Sequence, residues 1–581
     1  MTSLASRRRL LAVLLVCASL PLTAASHGGD SINAHDLREW LTYIASDDLQ
    51  GRAVFSAGLG LAASYIEQHL REWNVKPAGD NGSYLQTVKV LGVRTTSRSS
   101  VTVQVGDERR TFADGEGVRF PRQAGGKQHL EIGRVEFAGY GLDLPAQRHD
   151  DYRGKDMTGA AAIWLGPAGI DGLDQAANRL LLDGRGRFAT EEKHAAASVG
   201  VARAGGGARG EAAGRGQTPR EDEAAAPEPQ RRGRGRGAMP PADFTTTERF
   251  DRIVPPAITA DEAFFTFLFS RAPVKYDELK RRADARQPLS PFRLDGVRIT
   301  FDVNVEYEVV RTRLTQNVVA MVEGSDPQLR QTYVALGAHY DHVGYGEGEL
   351  VKRENGVRRA SAPGRVTPGA ENDRIWNGAD DDGSGTVALM ALARAFAAGP
   401  RPKRSVLFVW HAGEEFGRWG SLYFVENPTV PIDRIVAQLN IDMVGRNRDN
   451  KSSEANTVYL VGADRISSEL DAISREANHA LPNPMRLDYE FNETADPEQL
   501  YFRSDHYSYA SKGIPVIFFT TGLHADYHAN TDEVSRIEFD KLTHVSRLVY
   551  EIAARLGSLD HAPARDNRGP RTAKDALATT R

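Results

Sequence analysis

"TYVALGAHYDHVG", residues 332–344, joins an uncharged apolar run to two histidines and an aspartate within four positions. The run is too short for a helix and reads as a buried strand. His339, Asp341 and His342 then stand at its carboxyl end. On its own this stretch also suits ordinary polar residues at a strand terminus, so the rest of the chain decides.

From about residue 305 onward, strand and helix patterns alternate: "TYVALGA", "GTVALMALARAFA", "SVLFVWHAG", "IVAQLNIDMVG", "TVYLVGA", "SELDAISREANHA" and "IPVIFFTT". A last helix carries Phe539, Leu542, Val545, Val549, Ile552 and Leu556 on one face. Such alternation predicts an α/β domain with a central, mostly parallel mixed sheet flanked by helices. In open sheets of this kind ligands sit outside the carboxyl ends of the strands. The polar residues at those ends are His339 and Asp341, Glu414 and Glu415, Asp442, and His528; Asp380, Asp381 and Asp382 precede the helix at 385. Unpaired buried charge is costly, and a metal centre cancels it.

The chain has 581 residues, which predicts more than one domain. Its net charge of −4 offers no global case for nucleic-acid or anionic-membrane binding. "SRRRLLAVLLVCASLPLTAAS" reads as a secretory signal peptide over residues 1–25, with Arg7–Arg9 before an apolar stretch and a small-residue exit at Thr23–Ala25. A secreted or periplasmic protein without stable membrane insertion is expected. Cys17, the only cysteine, lies in that segment among apolar residues, which argues against a lipoprotein. Metal ligands must then be histidine and carboxylate, a set suited to Zn²⁺, Co²⁺ or Mn²⁺ in a catalytic site.

Helical patterns open the ordered sequence at 31–95: Leu37, Trp40, Leu41 and Ile44 after a cap at Ser31 or Asn33, then Leu59, Ala62, Ile66, Leu70 and Trp73. Short alternating runs follow from 96, and a second, mainly β unit is expected over 96–304. Within it, residues 200–241 are low in complexity and predicted to be disordered. The main domain resumes over 305–557, and 558–581 reads as a disordered tail.

Five motifs, "GAHYDHVG", "NGADDDGSG", "HAGEEFG", "NIDMVG" and "YHANTDEVS", occur in this order. Together they closely resemble the co-catalytic, two-zinc aminopeptidase family, over about 31–95 and 305–557. "VEFAGYGLDLP" and "DDYRGKDMTGAAAIWLG" are similar, more faintly, to the protease-associated domain that some members carry as an insertion. The resemblance implies a zinc-exopeptidase-like fold and peptide substrates. It implies that His339 and Asp442 bind one zinc, that Glu415 and His528 bind the other, and that Asp380 bridges them beside a cis Asp380–Asp381 bond. Glu414 would be the general base and Asp341 would orient His339 through its other ring nitrogen. His342 would stand outside the ligand set, His528 rather than His524 would be the second histidine, and Asp505 and His506 would be structural. Tyr501 occupies the place where some members put a tyrosine that hydrogen-bonds the oxyanion.

The expected activity is removal of amino-terminal residues. The alternatives are a carboxypeptidase of the same fold, with Arg418 or Arg503 as its carboxylate clamp, a one-zinc glutaminyl-cyclase-like enzyme, and a non-catalytic receptor or binding protein. The segment "GEGELVKRENGVRRASAPGRVTPGAEND" in 343–375 is longer than the family pattern and reads as an added loop at the site's rim.

Overall fold

The structure, a computed structural model, describes residues 28–201, 241–353 and 356–567. The signal-peptide segment and residues 202–240 lie outside them. Gly200 and Val201, expected to begin the disordered stretch, instead end the strand Ala197–Val201, because that strand pairs in parallel with Ala257–Ala260.

Both amino-terminal helices form where the apolar spacing places them. Ala34–Ile44 is capped by Asn33, whose side-chain oxygen accepts from Asp36 N at 3.0 Å, and it buries Leu37, Trp40, Leu41 and Ile44. Ala57–Glu72 is capped by Ser56, which accepts from Leu59 N at 3.2 Å. Capping satisfies donors that the helix itself leaves unpaired.

These helices cover a mixed sheet. Its centre is four parallel strands in the order Ser405–His411, Tyr333–His339, Ile435–Ile441, Val516–Thr520. Antiparallel strands extend both flanks, among them Val305–Val322 beside Ser405–His411 and Thr457–Val461 beside Val516–Thr520. Parallel pairing is therefore concentrated in the middle, with one further parallel pair, Thr457–Val461 with Arg486–Asp488, at an edge. Side chains alternate between two cores, as the period of a strand requires. Val406, Phe408 and Trp410 pack into one cluster with Leu41, Leu392 and Leu548, while Leu407 and Val409 pack into the other with Phe424 and Tyr509. Burial on both faces explains the near-continuous apolar runs. Among the described residues no helix is long and apolar enough to cross a membrane.

Leu85–Ser97 and Val305–Val322 form a long antiparallel ribbon, from Leu85 against Val318 to Ser97 against Val305, with one register shift between Val309 and Arg311. From its end the chain leaves to build a second body with a six-stranded and a four-stranded sheet around their own core, including Val103, Phe137, Ile163, Val199 and Phe301. Helices Glu262–Leu268 and Tyr276–Asp284 complete it. Residues Phe244–Thr246 depart from this unit and pair with Leu91–Val93 at the edge of the main sheet.

The carboxyl-terminal tail is ordered further than its composition suggests. Past the helix Phe539–Ser558, Asp566 accepts from Ser468 N at 2.9 Å and Asn567 N donates to Ile466 O at 3.1 Å. These bonds tie residues up to 567 to the amino end of the helix Ser468–Ala480.

Candidate metal centre

The polar ends of the parallel strands converge on one cleft. His339 is the last residue of its strand, Asp442 follows Ile441, and Glu414 and Glu415 follow the turn after His411. His528 comes from the loop after Val516–Thr520. Asp381 reaches in from the turn before the helix Gly385–Ala398.

The three consecutive aspartates have three different tasks. Asp381 presents Oδ1 3.3 Å from His339 Nε2 and Oδ2 3.1 Å from His528 Nε2. One carboxylate thus lies between the two histidines. Asp380, expected in that position, faces away: its Oδ1 accepts from Gly445 N at 2.6 Å and its Oδ2 lies 3.1 Å from His524 Nε2. Asp382 accepts from Gly385 N at 2.9 Å, Met443 N at 3.2 Å and His339 N at 3.2 Å, so it ties the turn to two strand ends. The cis peptide is Asp381–Asp382, not Asp380–Asp381. Asp532 sets the turn by accepting from the backbone N–H groups of Asp380 and Asp381.

Around this bridge the donors divide into two groups. On one side His339 Nε2 stands 3.6 Å from Asp442 Oδ1, and the other Asp442 oxygen accepts from the Ser504 hydroxyl at 2.6 Å. On the other side His528 Nε2 stands 2.9 Å from Glu415 Oε2. His342, expected outside the ligand set, is drawn into this second group: its Nδ1 lies 2.6 Å from Glu415 Oε1 and 3.9 Å from Asp381 Oδ2. Glu414 stands beside the groups rather than between them, with Oε2 4.0 Å from His339 Nε2.

Burial opposes charge on His339, but Asp442 and Asp381 outweigh it and hold its pKa well above the ordinary range. Burial would raise Asp381, yet His339, His528 and His342 hold it well below its ordinary value. Glu414 goes the other way. Burial raises its pKa well above normal and Asp442, Asp505 and Glu415 add to the shift, against the opposing pull of His339. Several of these atoms are buried and close to one another without hydrogen-bond alignment: both His342 ring nitrogens, Asp381 Oδ2 and Glu415 Oε1. Buried lone pairs left this way fit cations held among them. A set of imidazoles and carboxylates without sulfur suits zinc in a catalytic arrangement.

Asp341 acts differently from the expectation. His339 Nδ1 pairs with the main-chain carbonyl of Asp341 at 3.0 Å, while its carboxylate is 3.8 Å away. That carboxylate accepts from Gly413 N at 2.7 Å and Glu414 N at 3.1 Å. Asp341 therefore holds the loop that carries the glutamates, and its backbone orients the histidine.

Tyr501 does not reach the cleft. Its short helical turn, Leu500–Phe502, directs Leu500 and Phe502 to the cleft wall and Tyr501 into the core, under Arg465 at 3.8 Å and against His506. The tyrosine that lines the cleft is Tyr527, stacked on His528 at 4.0 Å and receiving a hydrogen bond from Arg503 Nη2 at 3.0 Å. Its place directly before His528 was the sequence signal for it. The loop at 343–375 forms a small sheet, Leu350–Arg353, Gly356–Arg359 and Arg365–Val366, closed around the fully buried Trp376. From it Arg365 N donates to His528 O at 2.7 Å, and its guanidinium donates to the carbonyls of Ala525 and Tyr527.

Residues 317–553 match the model of peptidase family M28. A probable leucine aminopeptidase 2 of Aspergillus fumigatus is 25% identical over 285 residues, 44% of this chain and 47% of that protein. Leupeptin-inactivating enzyme 1 of Streptomyces exfoliatus is 31% identical over 163 residues, 27% of this chain and 32% of that one. The matches thus span about half or less of these relatives' length. An aminopeptidase structure from Aneurinibacillus sp. strain AM-1 aligns over 94% of this chain and 97% of its own, at 16% identity and a TM-score of 0.40. The matched residues carry all the side chains of both donor groups, and over them this chain is similar to peptidase family M28.

Proposed function

We propose that this chain is a two-zinc aminopeptidase, exported from the cytoplasm, that removes amino-terminal residues from peptides. The observation that carries the reading is the Asp381 carboxylate, one oxygen toward His339 and the other toward His528. A single ion needs no such bridge. His339, Asp442 and Asp381 would hold one zinc, and His528, Glu415 and Asp381 the other; His342 would fix the second oxygen of Glu415. Co²⁺ or Mn²⁺ has the same ligand preferences and would substitute. When bound, the pair would supply Lewis acidity toward a water and a peptide carbonyl.

Glu414 is the general base in this reading. It takes a proton from the attacking water as the new C–O bond forms, and gives it to the nitrogen as the C–N bond breaks. Burial first, then the neighbouring carboxylates, hold its pKa well above the ordinary range, which suits a group that must take up a proton. Tyr527, held by Arg503, is positioned to donate to the carbonyl oxygen, the role expected of Tyr501. The carboxylates of Glu414 and Asp442 give the cleft the negative potential that a free α-ammonium requires. The aminopeptidase names of the relatives support the same direction of attack.

Chelation is expected to abolish hydrolysis of amino-acid p-nitroanilides, and added Zn²⁺ to restore it at about two ions per chain by metal analysis. N-acetylated peptides should not be cleaved. Full activity in metal-free enzyme, or trimming of acetylated peptides from the carboxyl end, would overturn the reading. A second expectation concerns the rim loop. Arg365→Ala releases the carbonyls that fix the His528 loop, so zinc affinity at the Glu415 side should fall about 10- to 100-fold in a competitive-chelator titration, the usual scale for a residue supporting a ligand. Unchanged affinity would mean that the loop does not position His528.

A further inference from the structure

We infer that Arg418 forms a carboxylate-recognition subsite on the leaving-group side of the cleft, so that the preferred substrates carry a carboxylate within one residue after the scissile bond. The inference rests on the aminopeptidase reading and specifies its substrate class.

Arg418 is 4% exposed, yet it lines the same cleft as Glu414, Glu415 and Asp381. Among the described residues its Nε and Nη1 have no hydrogen-bond partner and no carboxylate forms an ion pair with it. It lies over the Tyr507 ring, 5.2 Å from the guanidinium carbon to the ring centre. A buried guanidinium without an acceptor is costly, and a bidentate carboxylate is the ligand that matches its fork.

Of the neighbouring charged groups, Asp183 lines the same cleft and has an interaction of its own. Arg503 is engaged by Glu498 and by Tyr527. Glu191 receives the Tyr507 hydroxyl, and Glu192 stands 3.7 Å from Arg465. A second cation, Arg187, comes from the inserted body, lies over Phe502 at 3.8 Å and lines the same cleft. Both guanidiniums line one cleft, and burial first, then the charge of Arg418, hold the pKa of Arg187 below the ordinary range.

Position fixes the side. Arg418 N and Gly417 N both donate to the Glu414 carbonyl at 2.9 Å, so a tight turn puts Arg418 on the wall that carries Glu414. Glu414 delivers its proton to the departing nitrogen, and that wall therefore faces the residue after the scissile bond. The carboxylate has two possible sources there: the free carboxyl terminus of a dipeptide, or an acidic side chain in a longer peptide.

The test compares Leu-Ala with Leu-Ala-amide, and Leu-Glu-amide with Leu-Gln-amide, on the zinc-loaded full chain. Leu-p-nitroanilide serves as a substrate without a carboxylate. The preferred carboxylate source should raise kcat/KM about 10- to 100-fold over its neutral partner, mainly through KM. Arg418→Gln should erase that ratio and Arg418→Lys should restore part of it, at unchanged Tm. The first pair winning identifies a dipeptide carboxyl terminus, and the second an acidic side chain. The same pairs are compared by direct binding to Glu414→Gln, which reads the preference without turnover. No hydrolysis of any substrate, with the binding preference intact, would sink the aminopeptidase reading and leave the subsite. Absence of a preference in both pairs, or a preference that survives Arg418→Gln, would overturn the subsite.

Discussion

Asp381→Asn is expected to abolish peptidase activity, with kcat/KM falling at least about 10³-fold, because the carboxylate that faces both His339 and His528 is the one shared donor of the two groups. Zinc content should fall below two per chain by metal analysis. Asp380→Asn is the informative partner. Its oxygens serve Gly445 N and His524, so its loss should cost stability on the scale of a buried hydrogen bond, about 1–3 kcal/mol, and leave zinc content intact. The two variants differ by one position and by the same chemical change. If Asp380→Asn emptied the site and Asp381→Asn did not, the assignment of the bridge would be reversed.

The second large effect belongs to the adjacent glutamates. Glu414→Gln should keep both ions and lose about 10²- to 10⁴-fold in kcat, the scale of a general base. Glu415→Gln should instead lose zinc affinity, because Glu415 is the carboxylate within 2.9 Å of His528 and 2.6 Å of His342. Metal analysis beside single-turnover kinetics separates the two. A Glu414→Gln chain that lost its metals while turning over residual substrate normally would exchange the two roles.

Several features were legible from residue order because they depend on local rules. Strand and helix periodicity found the central parallel strands, and the apolar face at Leu37, Trp40, Leu41 and Ile44 is buried as the spacing requires. His339, Asp442, Glu415 and His528 follow apolar strands, and strand ends of a doubly covered sheet lie together whatever the loops between them do. The same regularity brought Glu414 into the cleft beside them.

What residue order left open was orientation. The choice among Asp380, Asp381 and Asp382 depends on Met443, Gly445, His524 and Asp532, which supply partners from 61 to 151 positions away. Tyr501 and Tyr527 are equally plausible as letters, but the turn at Leu500–Phe502 points the first into the core under Arg465. His342 reaches Glu415 only because strand pairing sets the ends of Tyr333–His339 and Ser405–His411 side by side. Arg418 became informative when the fold buried it and left Nε and Nη1 without acceptors among the described residues. By itself the sequence determined the central elements and the ring of chemically able residues at their ends, since periodicity and burial act over a few neighbouring positions. The tertiary structure alone decided which of those residues face one another, because a side chain's direction is set by hydrogen-bond partners that are distant along the chain and meet only in the folded protein.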